Sequence, residues 1–264
     1  MYSIAPFQRT TMLKKLFCLT LLSFSLFAQR QMEKLSRGVV AVSNPEGGMV
    51  ISWRLLATDP DKIAFNIYRG TNRLNETPLT TSTNFVDKTP SQTPNYRIKA
   101  VLNGVEQKDG ADALVLTQSF LEIPLQIPND GTTPDGKTYT YNANDASVGD
   151  LDGDGQYEVV LKWEPSNAKD NSHDGYTGNV FLDAYQLNGK QLWRIDLGKN
   201  IRAGAHYTQL IVYDLDGDGR SEIACKTADG TVDGQRKTIG DATKDYRNSV
   251  GRILEGPEYF TIFD

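Results

Sequence analysis

Asp150-Leu151-Asp152-Gly153-Asp154-Gly155-Gln156-Tyr157-Glu158 returns 64 residues on as Asp214-Leu215-Asp216-Gly217-Asp218-Gly219-Arg220-Ser221-Glu222. Each copy carries acids at positions 1, 3, 5 and 9 of a glycine-rich loop. Alternate side chains of an extended backbone point the same way, so the first three acids can converge on one centre. Gly155 and Gly219 permit the sharp turn that brings the ninth residue back to it. A set of hard oxygens without His or Cys favours Ca2+ over Zn2+ or a redox metal. The predicted ligand residues are Asp150, Asp152, Asp154, Gln156 and Glu158, and in the second copy Asp214, Asp216, Asp218, Arg220 and Glu222.

An EF-hand opens in the same way but needs a glutamate at position 12, where this chain has Leu161 and Cys225. Strand-forming residues follow the ninth position at once: Val159-Val160-Leu161 in one copy, Ile223-Ala224-Cys225 in the other. The motif therefore reads as a calcium loop joining two β-strands. A metal-free Asp/Gly turn is the plainer reading, but turn chemistry alone does not require the same four acids twice.

Outward from the loops, the strand pattern extends to a repeat. Ala146-Ser147-Val148-Gly149 and Leu210-Ile211-Val212-Tyr213 run in, and the outgoing strands end at Lys162-Trp163 and Lys226-Thr227. The first copy continues through 179–187, turns at Asn188-Gly189 and returns through 190–197. Four antiparallel strands make one blade of a β-propeller. In the second copy the third strand is Tyr259-Phe260-Thr261-Ile262-Phe263. Residues 139–264 thus read as a partial propeller of about two blades, and closure needs at least four. The chain is expected to be a fragment of a longer protein, with its last blade leaving an open apolar face.

Toward the N-terminus, residues 33–118 carry short alternating strands around Val39-Val40-Ala41-Val42, 49–55, 63–69, 84–87 and 95–101, with Asn103-Gly104 as a hairpin turn. A Trp in an early strand and Tyr residues in later ones suggest a fibronectin type III-like sandwich, the aromatics serving its core. Residues 119–138, rich in Pro, Gly and Asp, read as a linker. Lys14-Lys15 before the apolar run 16–28 reads as a secretory signal peptide over 1–28, with the residues before Met12 as an upstream mis-start. A membrane anchor is the competing reading, but the run is short for a span. With the leader removed, Cys225 is the remaining cysteine, so calcium takes the cross-linking role that disulfides have elsewhere. The expected setting is secreted or periplasmic, without stable membrane association. A net charge of −5 argues against nucleic acid as a partner, and a monomer is expected.

Several runs together resemble a known family: 141–150, Leu161-Lys162-Trp163-Glu164-Pro165-Ser166-Asn167, Asp174-Gly175-Tyr176-Thr177-Gly178, 201–208 and Lys226-Thr227-Ala228-Asp229-Gly230-Thr231. They are similar to bacterial rhamnogalacturonan lyases of polysaccharide lyase family 11. The resemblance implies an all-β chain: a fibronectin-like domain, then a calcium-binding propeller that is eight-bladed in the family and incomplete here. It implies rhamnogalacturonan I, a pectic polysaccharide, as substrate, cleaved by calcium-dependent β-elimination beside a calcium-bound uronate. Carried over by position, Asn144 and Glu164 fall at the substrate-side calcium, Glu164 standing where the family's Trp-Asp-Pro has Asp. Lys162, Arg202, His206 and Lys226 are the candidates for the base. The polar stretch 229–257, with Asp245-Tyr246-Arg247-Asn248, reads either as a binding wall or as a disordered surface loop. The alternative function is a non-catalytic, integrin-like calcium propeller acting as an adhesin or carbohydrate-binding module.

Overall fold

A computed structural model describes residues 35–264 except Thr93 and Ala205. The expected signal peptide lies outside the described residues. The first strands are β1 (Val40–Ser43), β2 (Met49–Ser52), β3 (Ala64–Arg69), β4 (Asn72–Arg73), β5 (Asn84–Asp87), β6 (Tyr96–Leu102), β7 (Val105–Asp112) and β8 (Leu114–Leu116). Alternation decides which side is buried: Met49 and Ile51 of β2 point inward, while Val50 and Ser52 stay half exposed. Two four-stranded sheets result, ordered β5-β2-β1-β8 and β4-β3-β6-β7. Neighbours run antiparallel except β8, which lies parallel to β1.

The inward residues of both sheets meet in one apolar core, with Ala41 and Ile51 from one and Phe65, Ile67 and Ile98 from the other. Trp53 lies edge-on to Phe65 at 5.3 Å between ring centres. Tyr96 is buried and donates its hydroxyl to Asp87 at 2.8 Å. Burial first, and the Asp87 carboxylate second, push that hydroxyl's pKa up. At Asn103-Gly104 both residues have positive φ, 50° and 79°, so the turn follows the twist of β6 and β7.

After the short hairpin of β9 (Gly131–Thr132) and β10 (Thr138–Tyr139) come two sheets whose strands lie in chain order. The third sheet holds β11 (Tyr141–Gly149), β12 (Glu158–Pro165), β13 (Phe181–Tyr185) and β14 (Gln191–Asp196). The fourth holds β15 (Leu210–Tyr213), β16 (Glu222–Ala228) and β17 (Glu258–Phe263). Every pairing in them is antiparallel. Each acidic loop joins the first two strands of its sheet.

β12 is covered on both faces, so its residues are nearly all buried rather than alternating. Val160 faces the fourth sheet, joining Leu182, Ile195, Ile223 and Cys225 in one core. Leu161 and Trp163 face the other way, where Ile123 and Tyr139 pack on them. The segment read as a linker is therefore docked, and Gln126 exchanges backbone contacts with the Tyr185 hydroxyl. The two sheets stack without closing into a ring, and Ile211, Tyr213, Phe260 and Ile262 of the fourth stand exposed. Among the described residues no helix is long and apolar enough to cross a membrane.

Candidate functional site

Both acidic loops are braced by their own carboxylates. Asp150 Oδ1 accepts the N–H groups of Gly153 (2.8 Å) and Asp154 (3.1 Å), and Oδ2 accepts that of Gly155 (2.9 Å). Asp214 repeats this with Gly217 (2.6 Å) and Gly219 (3.2 Å). At the ninth position Glu158 accepts from Leu151, and Glu222 from Leu215. All four loop glycines have φ between 79° and 98°, which lets the backbone fold its amides onto the first acid.

Carboxylate oxygens of Asp150, Asp152 and Glu158 lie within 4.8 Å of one another. In the second loop Asp214, Asp216, Asp218 and Glu222 do the same. Asp154 falls outside its group, and its Oδ1 accepts the Gln156 N–H at 2.8 Å. Gln156 and Arg220 carry no carboxylate, and the Arg220 side chain lies beside Gly153 of the other loop. Glu158 is buried, and burial raises its pKa, with Asp152, Asp154 and Asp150 pushing it further. Among the described residues no Lys or Arg pairs with Asp150 or Glu158. Buried like charges held in an oxygen-only set fit a hard divalent cation such as Ca2+.

Asn144 and Glu164 lie toward the far end of the same hairpin, since Glu164 is six residues beyond Glu158, about 20 Å at strand rise. The β11–β12 register slips between Ala143 and Ala146, leaving Asn144 and Asp145 in a bulge. The bulge turns them toward two residues of β12. Asn144 Nδ2 donates to Glu164 Oε2 at 3.2 Å, and Lys162 Nζ to Asp145 Oδ2 at 2.6 Å. Lys162 is 2% exposed and Asp145 72%, so the buried amine holds an acid that stands in solvent. Glu164 opens onto a cavity of about 600 Å³ whose other walls are Ala168, Lys169, Asp170, His173 and Asp174.

None of the other basic candidates is among the walls of this cavity; His206 and Lys226 line a separate one with Tyr207 and Leu210. Arg202 is buried beneath the 169–175 loop and gives its N–H groups to backbone carbonyls. The His206 ring is 77% exposed, with Nδ1 3.7 Å from Asp170 Oδ2. Lys226 pairs with Glu258 at 2.8 Å and lies over the Tyr207 ring. The stretch 229–257 is tied into the fold. Asn200 bonds the Asp229 and Lys244 carbonyls and the Tyr246 N–H, while Asp229 accepts both Tyr246 and Tyr259 hydroxyls.

Asp145, Lys169 and Asp170 were not singled out from the sequence. Asp145 is placed by the register slip between β11 and β12, which shows only once the strands are paired. The others are placed by tertiary contacts of a loop that carries no periodic signal.

The fold and these two positions define an all-β protein with acidic interstrand loops and a polar cavity at a strand end. Family models match along nearly the whole described chain: the rhamnogalacturonan I lyase beta-sheet domain at residues 30–116, and the C-terminal domain of rhamnogalacturonan lyase family 11 at 120–264. The chain belongs to rhamnogalacturonan lyase family 11. It is 60% identical over 236 residues to the rhamnogalacturonan endolyase YesW of Bacillus subtilis (strain 168), and 58% identical over 235 residues to the rhamnogalacturonan exolyase YesX of the same organism. In each case 89% of this chain is covered, and the chain spans 38% of the relative's length. The crystal structure of YesX superposes with a TM-score of 0.85 at 57% identity, covering 89% of this chain and 39% of that one. That of YesW gives 0.84 at 60% identity, covering 89% and 40%.

Proposed function

We propose that this chain contributes the first substrate wall of a lyase that cleaves the rhamnose–galacturonate backbone of pectin by β-elimination. The observation that carries this is Glu164, which lines a polar cavity and accepts the Asn144 amide N–H, on a family framework whose relatives are named for that polymer. On this reading the 40–116 sandwich is fibronectin type III-like, and the third and fourth sheets are blades of a propeller. The Asp150 and Asp214 loops hold structural Ca2+. Export fits a polymer too large to enter a cell, and the basic-then-apolar run before residue 28 supports it.

The C5 proton of a galacturonate is barely acidic while the neighbouring carboxylate is charged. Ca2+ bound to that carboxylate supplies Lewis-acid stabilisation of the charge that builds as the proton leaves. The Asn144 amide and the Glu164 carboxylate are the residues here that would hold it. The Lys162–Asp145 pair keeps the bulge in shape, so Asn144 stays within reach of Glu164. The cavity walls orient the sugar ring, and a basic side chain receives the proton.

Rhamnogalacturonan I is incubated with the protein expressed from its full coding sequence, and the absorbance of the unsaturated uronyl end is followed. A rise that EDTA abolishes and Ca2+ restores is the expected result. No rise under any condition would sink the lyase reading in favour of a binding module. In Asn144→Ala and Glu164→Gln we expect a loss of at least about a hundredfold in kcat/KM.

A further inference from the structure

Arg202 is 3% exposed, yet no carboxylate pairs with it among the described residues. Its guanidinium points into five backbone carbonyls. Nε donates to Lys169 at 3.0 Å. Nη1 donates to Gly175 at 2.6 Å and to Gly251 at 2.5 Å. Nη2 donates to Asp170 at 3.3 Å and to His173 at 3.0 Å. Four of these carbonyls belong to the 169–175 loop, the loop that gives the cavity Lys169, Asp170, His173 and Asp174.

The fifth carbonyl, of Gly251, ties this loop to a second one. Gly175 N–H donates to the Val250 carbonyl at 2.7 Å, Asn171 Nδ2 to Ile253 at 2.7 Å, and Arg252 Nε to Asp174 at 2.7 Å. The carbonyl dipoles solvate the buried charge in place of a counter-ion, at a desolvation cost that a purely structural brace could avoid. A planar fork with five fixed donors suits converging carbonyls, whereas a lysine offers three donors around a point.

We propose that Arg202 is a positioning residue for the binding wall. It sets the curvature of the 169–175 loop against Glu164, so that Lys169 and His173 meet an acidic polysaccharide that carries a uronate on alternate sugars. This rests on the reading above that the cavity receives the substrate. Arg202 itself touches neither the sugar nor the departing proton.

The test compares wild type, Arg202→Lys and Arg202→Ala, each expressed from the full coding sequence, on rhamnogalacturonan I. The expected outcome is a KM raised about tenfold in both variants with kcat changed less than about threefold. Dilute guanidinium is expected to bring the KM of Arg202→Ala back toward wild type. Hydrogen exchange at the 169–175 amides is expected to speed up in Arg202→Lys while β12 stays protected. If Arg202→Ala does not fold, Arg202→Lys and its exchange pattern decide alone. An active wild type with unchanged KM in the folded variants, a fall in kcat at constant KM, no response to guanidinium or unaltered loop exchange would each overturn the positioning role. An inactive wild type would instead overturn the lyase reading on which the role depends.

Discussion

The sandwich of residues 40–116 and the stacked sheets beyond it are both built of antiparallel hairpins, but what they bury differs. Among the described residues Asn66 and Asp87 are the buried polar side chains of the sandwich, and its core is otherwise apolar. The stacked sheets bury Asp150, Glu158, Lys162, Asp183, Arg202, Asp214, Glu222 and Asp229. The first region is held by exclusion of water. The second must keep each buried charge matched, by a hydrogen-bonded partner or by an ion. The difference is therefore one of vulnerability: one half should answer to cavities, the other to anything that removes a counter-charge.

The largest expected effect is chelation. A ligand bound only to the folded form at a hundred times its Kd stabilises by about 2.7 kcal/mol, so emptying both acidic loops should cost the stacked sheets about 5 kcal/mol. Calorimetry with and without EDTA should show the unfolding of these sheets moving down and that of the sandwich staying put. Coincident shifts would erase the contrast. Next comes Asp183→Ala. Asp183 is fully buried and takes bonds from the Trp163 indole (2.7 Å), the Tyr185 hydroxyl (2.6 Å) and the Arg194 guanidinium (2.6 and 2.7 Å). Its removal strands the Trp163 indole N–H and leaves Arg194 and Tyr185 with the Gln126 carbonyl alone, and about 4 kcal/mol of destabilisation is expected from urea unfolding followed by Trp163 and Trp193 emission.

Ile51→Ala tests the other half. Ile51 is fully buried between the two sandwich sheets, and about 3 kcal/mol should be lost, by the same amount with or without EDTA. The smallest effect concerns pH. The Arg37 guanidinium meets Asp59 at 2.6 and 2.7 Å and, by hydrogen bonding first, holds that carboxyl below its usual range. The folded value lies below the unfolded one near 4, so this stabilisation is present above about pH 4 and lost as pH falls through the folded value. Urea midpoints of the sandwich at neutral and acid pH should differ less in Asp59→Asn than in wild type.

The acidic loops were legible because their information is local: spacing, glycines and the strands that follow all lie within a dozen residues. The same holds for Asn103-Gly104, a turn with both φ values positive. Asn188-Gly189 was legible as a turn but not as a type. Gly189 alone is left-handed there, and its N–H bonds back to Gln186 beside a bulge in β13–β14. What stayed hidden depends on distance along the chain. The parallel pairing of β8 with β1 joins residues over 70 apart. Asp183 reads as one polar position in a strand until Trp163 and Arg194 arrive from its neighbours. Arg202 was visible as a basic residue, but its partners are carbonyls, which no side-chain pattern reveals. Asn144 and Glu164 were found through family resemblance, whereas the bulge that aims Asn144 is a register slip that appears only in the paired strands.

The N–H bonds that Asp150 and Asp214 take from their own loops bear on time as well as strength. A loop already wrapped around its first acid has little chain left to order, so ion entry should be paced by stripping water from the cation rather than by a search through backbone shapes. Filling should then be fast and its rate nearly independent of viscosity. The first loop is also gripped from outside, by Ser36 N–H on the Gly155 carbonyl at 2.6 Å and by the Arg54 guanidinium over the Tyr157 ring. Ordering this loop is therefore coupled to seating the sandwich against the neighbouring sheet.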